Sequence, residues 1–361
     1  MSLFFPIAKG DPSLERITMA HGAGGTIMHD LIKKYIVTHL GGSGAEVPLE
    51  ALDDAAVIGD IVLKSDSHAV KPIFFPGGDI GRLAVAGTVN DIAVMGAEPV
   101  ALSCGFVLEE GLKITDFERI LESMKQTCKE AGVYVITGDT KVVEKGNLGG
   151  CVINTSGIGK RTVALERNIA EVKKHRSFNA RWVLDSNLRE GDKIIVSGTV
   201  GDHGLAVLSA QEGYNFGTQI KSDVTPLNNL ITRLLNVGGI VAMKDPTRGG
   251  LSNALNEWSE KSRVGILVQE GRIPIREDVK AACEMLGIDP LEVGNEGKIL
   301  IGVVREKAGE ILSTLRGTRE GKDAQIIGEA TKQFMEVALE TEVGGKRILA
   351  PPIGDPVPRI C

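Results

Sequence analysis

Short β-branched runs alternate with helical stretches along most of this chain, and that alternation restricts it to a mixed α/β (α+β) architecture. Val133-Tyr134-Val135-Ile136-Thr137, Cys151-Val152-Ile153-Asn154-Thr155, Lys193-Ile194-Ile195-Val196-Ser197 and Lys298-Ile299-Leu300-Ile301-Gly302-Val303-Val304 read as strands. Thr115-x-x-Glu118 reads as a capping box that opens a helix carrying the stripe Phe117, Ile120, Leu121, Met124, Cys128 and Ala131. Thr225-Pro226, followed by Leu227, Leu230, Ile231, Leu234, Leu235 and then Gly238, marks a helix with a start and a stop. Charge gathers between about Arg161 and Arg189 with little apolar periodicity, so a connection is expected there. The expected division is a segment at 1–44, an N-terminal lobe at 45–160, a connecting region at 161–189, a C-terminal α/β lobe at 190–343 and a tail at 344–361.

The tail is proline-rich. Four prolines fall in the last twelve residues, Ala350 to Cys361, and proline has neither an N–H nor a free φ, so helix and central strand are both excluded. An extended arm with a thiol at its tip is expected, with a reach of roughly 35 Å at about 3.1 Å per residue. An ordinary frayed terminus is the competing reading. Prenylation does not fit, because that signal places cysteine four residues from the end. The other cysteines, Cys104, Cys128, Cys151 and Cys283, have apolar neighbours and read as core. An odd total of five with no CxxC pair fits a reducing compartment and argues against zinc.

No apolar run approaches a membrane span, and Met1-Ser2-Leu3-Phe4-Phe5-Pro6 lacks a basic signal-peptide start, so a cytoplasmic protein is expected. A net charge of −6 gives no basic footprint for nucleic acid. Glycine is abundant, at 45 of 361 residues, which suggests loops whose backbone approaches a ligand closely.

The acidic residues sit in glycine-rich or turn-like settings: Asp53-Asp54-Ala55-Ala56, Gly77-Gly78-Asp79-Ile80-Gly81, Asn90-Asp91, Gly138-Asp139-Thr140-Lys141 and Asp245-Pro246-Thr247-Arg248-Gly249-Gly250. An Asp beside Gly is commonly a turn or helix cap. Taken together, these segments fit a site for Mg²⁺-bound polyphosphate. Magnesium takes a few carboxylates and completes its octahedron with phosphate oxygens. Helix starts at 77–81 and 248–250 would offer N–H groups to phosphate. Lys141 and Arg248 would neutralise a transferring phosphoryl group. His21-Gly22-Ala23-Gly24-Gly25 reads as a mobile flap or a simple glycine hinge.

These motifs, together with Val89-Asn90-Asp91-Ile92-Ala93-Val94-Met95-Gly96-Ala97, resemble the ATP-binding superfamily that includes aminoimidazole ribonucleotide synthetase, selenophosphate synthetase and thiamine-monophosphate kinase. Within it, the opening His21 to Gly25 and the ending Pro358-Arg359-Ile360-Cys361 resemble the HypE family of hydrogenase maturation proteins. The resemblance implies two α/β lobes, with the N-terminal lobes pairing into a β-barrel-like homodimer that holds ATP near its interface. It implies ATP-dependent dehydration of an S-carbamoyl group on Cys361 to S-cyanide. The carbamoyltransferase HypF is the implied donor and the HypC–HypD complex the implied acceptor.

Making a nitrile from a carboxamide removes oxygen, and phosphorylating that oxygen supplies a leaving group. Asp54, Asp91 and Asp245 are the leading metal-ligand candidates, with Asp79 and Asp139 following in the metal or phosphate network. Lys141 is the candidate phosphate partner and Glu296 the candidate base or carbamoyl-orienting group. His21, Gly22, Gly24, Gly25, Asn90, Gly138, Thr140, Arg248 and Gly249 complete the expected nucleotide site. Two rivals stand beside this reading: a kinase or synthetase of the same superfamily acting on a free small molecule, and a non-catalytic nucleotide-dependent docking protein.

Overall fold

The computed structural model describes residues 16–214 and 220–354. Cys361, the expected tip of the arm, lies outside the described residues.

The N-terminal half forms a five-stranded sheet in the order Ala56–Ile58, Ile61–His68, Cys151–Lys160, Glu98–Glu109, Val135–Val143. The first three pairings are antiparallel; the last is parallel and is bridged by the helix Ile114–Ala131. One face packs on the helix Ile80–Val94, where Gly157 and Gly159 make the contact possible. A Cβ at either position would lie 2.6 or 2.3 Å from the Ile92 side chain. The opposite face leaves Ile58, Ile61, Leu63 and Ile158 exposed. The edge strand Val135–Val143 is exposed along nearly its whole length, and the sheet does not close on itself.

The C-terminal half builds a seven-stranded sheet ordered Lys346–Ile348, Val337–Glu340, Gly265–Gln269, Gln325–Thr331, Lys193–Val196, Leu300–Val303, Ile240–Lys244. Its pairings are antiparallel except Gly265–Gln269 with Val337–Glu340. One apolar cluster runs through both halves, joining Val57, Val62 and Ile92 to Trp182, Trp258 and the Ile194–Val196 strand. The helix Ile80–Val94 is buried at every residue except Arg82, the signature of a helix enclosed on all sides. Among the described residues, no helix is long and apolar enough to cross a membrane.

Two sequence expectations change. The helix expected to open with a capping box at Thr115 begins at Ile114 after Lys113, and no side chain caps it. Thr225-Pro226 precedes its helix, which spans Asn228–Val237; the Gly238 stop is present at φ 84°. The span 161–189 holds a packed helix, Val163–His175, whose Ala164, Leu165, Ile169 and Val172 are buried. Cys104, Cys128, Cys151 and Cys283 are all buried, as expected for core thiols.

Candidate functional site

Three carboxylates meet where the two halves join. Asp54 comes from the turn before the strand Ala56–Ile58, Asp91 from the buried helix, and Asp245 directly follows the strand Ile240–Lys244. Their oxygens lie within 4.8 Å of one another. A cavity of about 230 Å³ opens onto them. Seven acidic side chains line it: Asp53, Asp54, Asp66, Asp91, Asp245, Glu257 and Glu296. The lining cations are Lys64, Lys244 and Arg248.

Burial and that surplus of negative charge together raise several of these carboxyls. Burial pushes the Asp245 carboxyl well above its usual range, and repulsion from Asp91 and Asp54 adds to it. Asp91 rises to about 7 through burial, against the pull of Lys64 and with help from Asp66 and Asp54. Burial likewise raises Glu296 well above the usual range, reinforced by Asp245 and Asp66. Two lysines offset part of the surplus. Lys64 Nζ sits 2.8 Å from Asp91 Oδ2. Lys244 Nζ bonds Asp54 Oδ1 at 2.6 Å, Glu257 Oε2 at 3.0 Å and Asp185 Oδ2 at 3.2 Å. Asp185 is in turn held by Trp258 Nε1 at 2.7 Å and Lys261 Nζ at 2.7 Å. Asp54, Asp91 and Asp245 are hard oxygen donors in a converging set, the donor chemistry that a divalent magnesium ion takes.

Of the residues named from sequence, Asp54, Asp91, Asp245, Gly24, Arg248 and Glu296 line this cavity. Others do not. The Asp79 carboxylate accepts the Gly81 and Arg82 N–H groups at 2.8 and 3.0 Å, so it caps the buried helix, and the helix start at 77–81 has no such donors left for phosphate. Asn90 is also structural. Its amide donates to the Thr225 and Glu296 carbonyls and its oxygen accepts the Leu227 N–H at 2.8 Å, pinning the helix to the C-terminal half. Neither side chain is among the residues that line the cavity. Gly138, Asp139, Thr140 and Lys141 lie on the exposed edge strand and contribute nothing to the cavity lining. His21 receives the Thr18 N–H on Nδ1 at 3.1 Å, and Gly22 is exposed. Gly249, at φ 77°, caps the helix Gly250–Ser262.

The glycine flap has a second neighbour. The Thr26 N–H donates to the Pro352 carbonyl at 3.2 Å, and a Cβ on Gly25 would fall 2.0 Å from that oxygen. Ser252 Oγ donates to the Ala350 carbonyl at 2.8 Å and Asn256 Nδ2 to the Leu349 carbonyl at 2.9 Å. The root of the proline tail is therefore fixed beside the flap, and Gly24 of that flap packs against Arg248 on the cavity wall.

Sequence reasoning missed Lys64, Asp66 and His68. They occupy alternate positions of the strand Ile61–His68 and so share the face that carries Val62. The available signal was a polar i, i+2, i+4 row within the strand, whose inward orientation only the fold shows. It also missed Lys244 and the pair His29 Nε2–Glu257 Oε1 at 2.9 Å.

Comparison with known proteins fits this architecture. Residues 52–161 match the family AIR synthase related protein, N-terminal domain, and residues 189–339 match its C-terminal domain. The fold and site thus define an AIR-synthase-related protein. A Methanocaldococcus jannaschii protein named for hydrogenase expression and formation is 51% identical, covering 96% of this chain and 100% of that protein. The carbamoyl dehydratase HypE of Azotobacter vinelandii is 42% identical, covering 96% of this chain and 97% of that protein. A crystal structure of a HypE–HypF complex aligns with TM-score 0.81 at 44% identity, over 89% of this chain and 99% of that one. The hydrogenase maturation protein HypE crystallised with ATP aligns with TM-score 0.77 at 40% identity, over 96% and 100%. The chain belongs to the HypE family.

Proposed function

We propose that this protein is an ATP-dependent carbamoyl dehydratase that converts an S-carbamoyl group on Cys361 to S-cyanide, the source of the cyanide ligand in [NiFe] hydrogenase maturation. The observation that carries the reading is the convergence of Asp54, Asp91 and Asp245 in a member of the HypE family. Those three carboxylates would hold Mg²⁺, which when bound neutralises phosphate charge during phosphoryl transfer.

The chain's own groups do the rest. Arg248 on the cavity wall is placed to meet anionic oxygens. Glu296, buried on the same wall, is placed to orient the carbamoyl group or exchange a proton with it. The tail supplies the substrate: from Pro352, fixed beside the flap, the nine residues to Cys361 span up to about 28 Å at roughly 3.1 Å per residue.

ATP is the proposed phosphoryl donor, a role supported by the related HypE crystallised with it. The cavity of about 230 Å³ is smaller than the roughly 300–1,000 Å³ usual for small-molecule sites, so further walls are needed. We assign them to a second copy. The exposed sheet face carrying Ile58, Ile61, Leu63 and Ile158, with the exposed edge strand, would pair with its counterpart into a barrel-like homodimer. That arrangement would also bring Gly138, Asp139, Thr140 and Lys141 into use; sedimentation showing only monomer at micromolar concentration would remove it. Residues 1–44 would carry the flap, 45–160 the nucleotide-binding and dimerisation domain, 161–189 the connection, 190–343 the second domain and 344–361 the carrier tail. HypF is the proposed carbamoyl donor, in line with the HypE–HypF complex, the HypC–HypD complex the acceptor, and the cytoplasm the location.

The test is intact mass after incubation with HypF, carbamoyl phosphate and Mg-ATP, for wild type and Cys361→Ala. A carbamoyl-sized gain that then falls by one water, in wild type only, is expected. ATP hydrolysis with a free small molecule, with both proteins unmodified, would replace this reading with that of a free-substrate synthetase.

A further inference from the structure

His68 is a buried histidine without a hydrogen bond. It is 2% exposed, and among the described residues neither ring nitrogen has a hydrogen-bond partner. Its ion-pair neighbour is Asp66, with Nε2 3.6 Å from Oδ2, just beyond hydrogen-bond range. Buried polar groups in folded proteins are nearly always bonded, and an exception calls for an explanation. Here the explanation does not lie in packing alone, because the ring lines the same cavity as Asp91, Asp245, Arg248 and Glu296.

The backbone makes room for the ring. Gly87 stands on the buried helix opposite it, and a Cβ there would be 3.0 Å from His68 Cε1 and 3.6 Å from Asp66 Oδ2. A histidine kept only as filler needs no such accommodation; an aliphatic side chain would fill the space without orphaning two nitrogens. Burial, opposed by Asp66 and aided by Arg248, holds the imidazole below its ordinary titration range, which favours the neutral ring. A neutral imidazole carries one N–H and one free lone pair.

Nitrile formation from a primary carbamoyl group must break two N–H bonds, and the proposed function names one candidate group, Glu296, for proton exchange. We propose that His68 is a second catalytic residue, which accepts a hydrogen bond from the carbamoyl nitrogen and takes the first of its two protons, with Asp66 positioning the ring. The proposal rests on the dehydratase reading. As the carbamoyl oxygen bonds to the γ-phosphorus of ATP and ADP departs, one N–H bond breaks. Its proton passes to His68 and its electron pair forms the second C–N bond. When the C–O bond then breaks, the second N–H proton leaves with phosphate, the remaining pair completes the triple bond, and His68 returns its proton to solvent.

The test uses full-length protein carrying a preformed S-carbamoyl group, followed by intact mass in a single turnover with saturating Mg-ATP. Wild type, His68→Gln, His68→Leu and Asp66→Asn are compared, with melting temperature and ATP affinity measured on each. General acid–base contributions are typically about 10²–10⁴-fold, so both His68 variants should lose about that much in the dehydration rate while ATP affinity stays within about threefold. His68→Leu should match or exceed the wild-type melting temperature, since an orphaned polar group is removed. Asp66→Asn should lower the rate less than either His68 variant does. Dehydration by His68→Gln within about threefold of wild type overturns the assignment. So does a rate loss tracking a fall in melting temperature, which would make His68 structural. If wild type itself fails to dehydrate, it is the proposed function that falls.

Discussion

Asp245→Asn is expected to raise the melting temperature of the magnesium-free protein and to abolish the further rise that magnesium brings. The three carboxylates lie within 4.8 Å of one another, and two like charges at that separation repel by about 3.5 kcal/mol at an effective dielectric of about 20. Lys64 and Lys244 pair with Asp91 and Asp54 and offset most of this. Protonation relieves more, so the residual strain that the substitution removes is about 1–2 kcal/mol. The pH dependence follows from Asp91, raised to about 7 from an ordinary 3.8. Between those values the folded form binds more protons than the unfolded at this group, so its contribution to metal-free stability falls as pH rises from about 4 to about 7.

The comparison therefore belongs at pH 8, by differential scanning fluorimetry in EDTA and in MgCl₂. A gain of about 2–8 °C in EDTA is expected for the variant, since each kcal/mol moves a domain of about 150–250 residues by about 2–4 °C. Wild type in magnesium at about a hundredfold over Kd should gain about 2.7 kcal/mol, and the variant close to none. An Asp245→Asn protein that melts lower in EDTA, or keeps the full magnesium response, would show that the three carboxylates are not one electrostatic unit.

Lys244→Met removes the ammonium that bridges Asp54, Asp185 and Glu257, and stranding a buried carboxylate typically costs about 3–5 kcal/mol; urea unfolding should show that loss, and a change under 1 kcal/mol would mean the acids had shared protons instead. Gly25→Ala puts a side chain at φ +74° and 2.0 Å from the Pro352 carbonyl, so limited proteolysis should cut residues 349–354 faster than in wild type, and equal cleavage would show that the flap does not hold the tail.

The metal-site candidates were legible because all three aspartates sit beside small or turn-forming residues, where a carboxylate has no packing reason to be. Asp79 and Asn90 share that setting, yet their side chains bond backbone groups. A short polar side chain next to a helix start satisfies the backbone before it serves a ligand, and sequence alone does not say which donors are already taken. Lys64, Asp66 and His68 were missed for the opposite reason: their β-strand alternation matches a half-solvated strand, and only the tertiary fold shows that face turned inward on the buried helix. The packed helix Val163–His175 was hidden by its charge, since five buried positions in thirteen give a narrow apolar stripe.

The hydrogen bond from Thr26 to Pro352 closes a ring through nearly the whole described chain. Contacts of such sequence separation reward the chain only after intervening segments are ordered. During synthesis the flap cannot be latched until residue 352 has emerged, by which time both sheets have had the chance to form. The contact at the cavity rim is thus the last of these to become available, after every residue of the acidic wall has emerged.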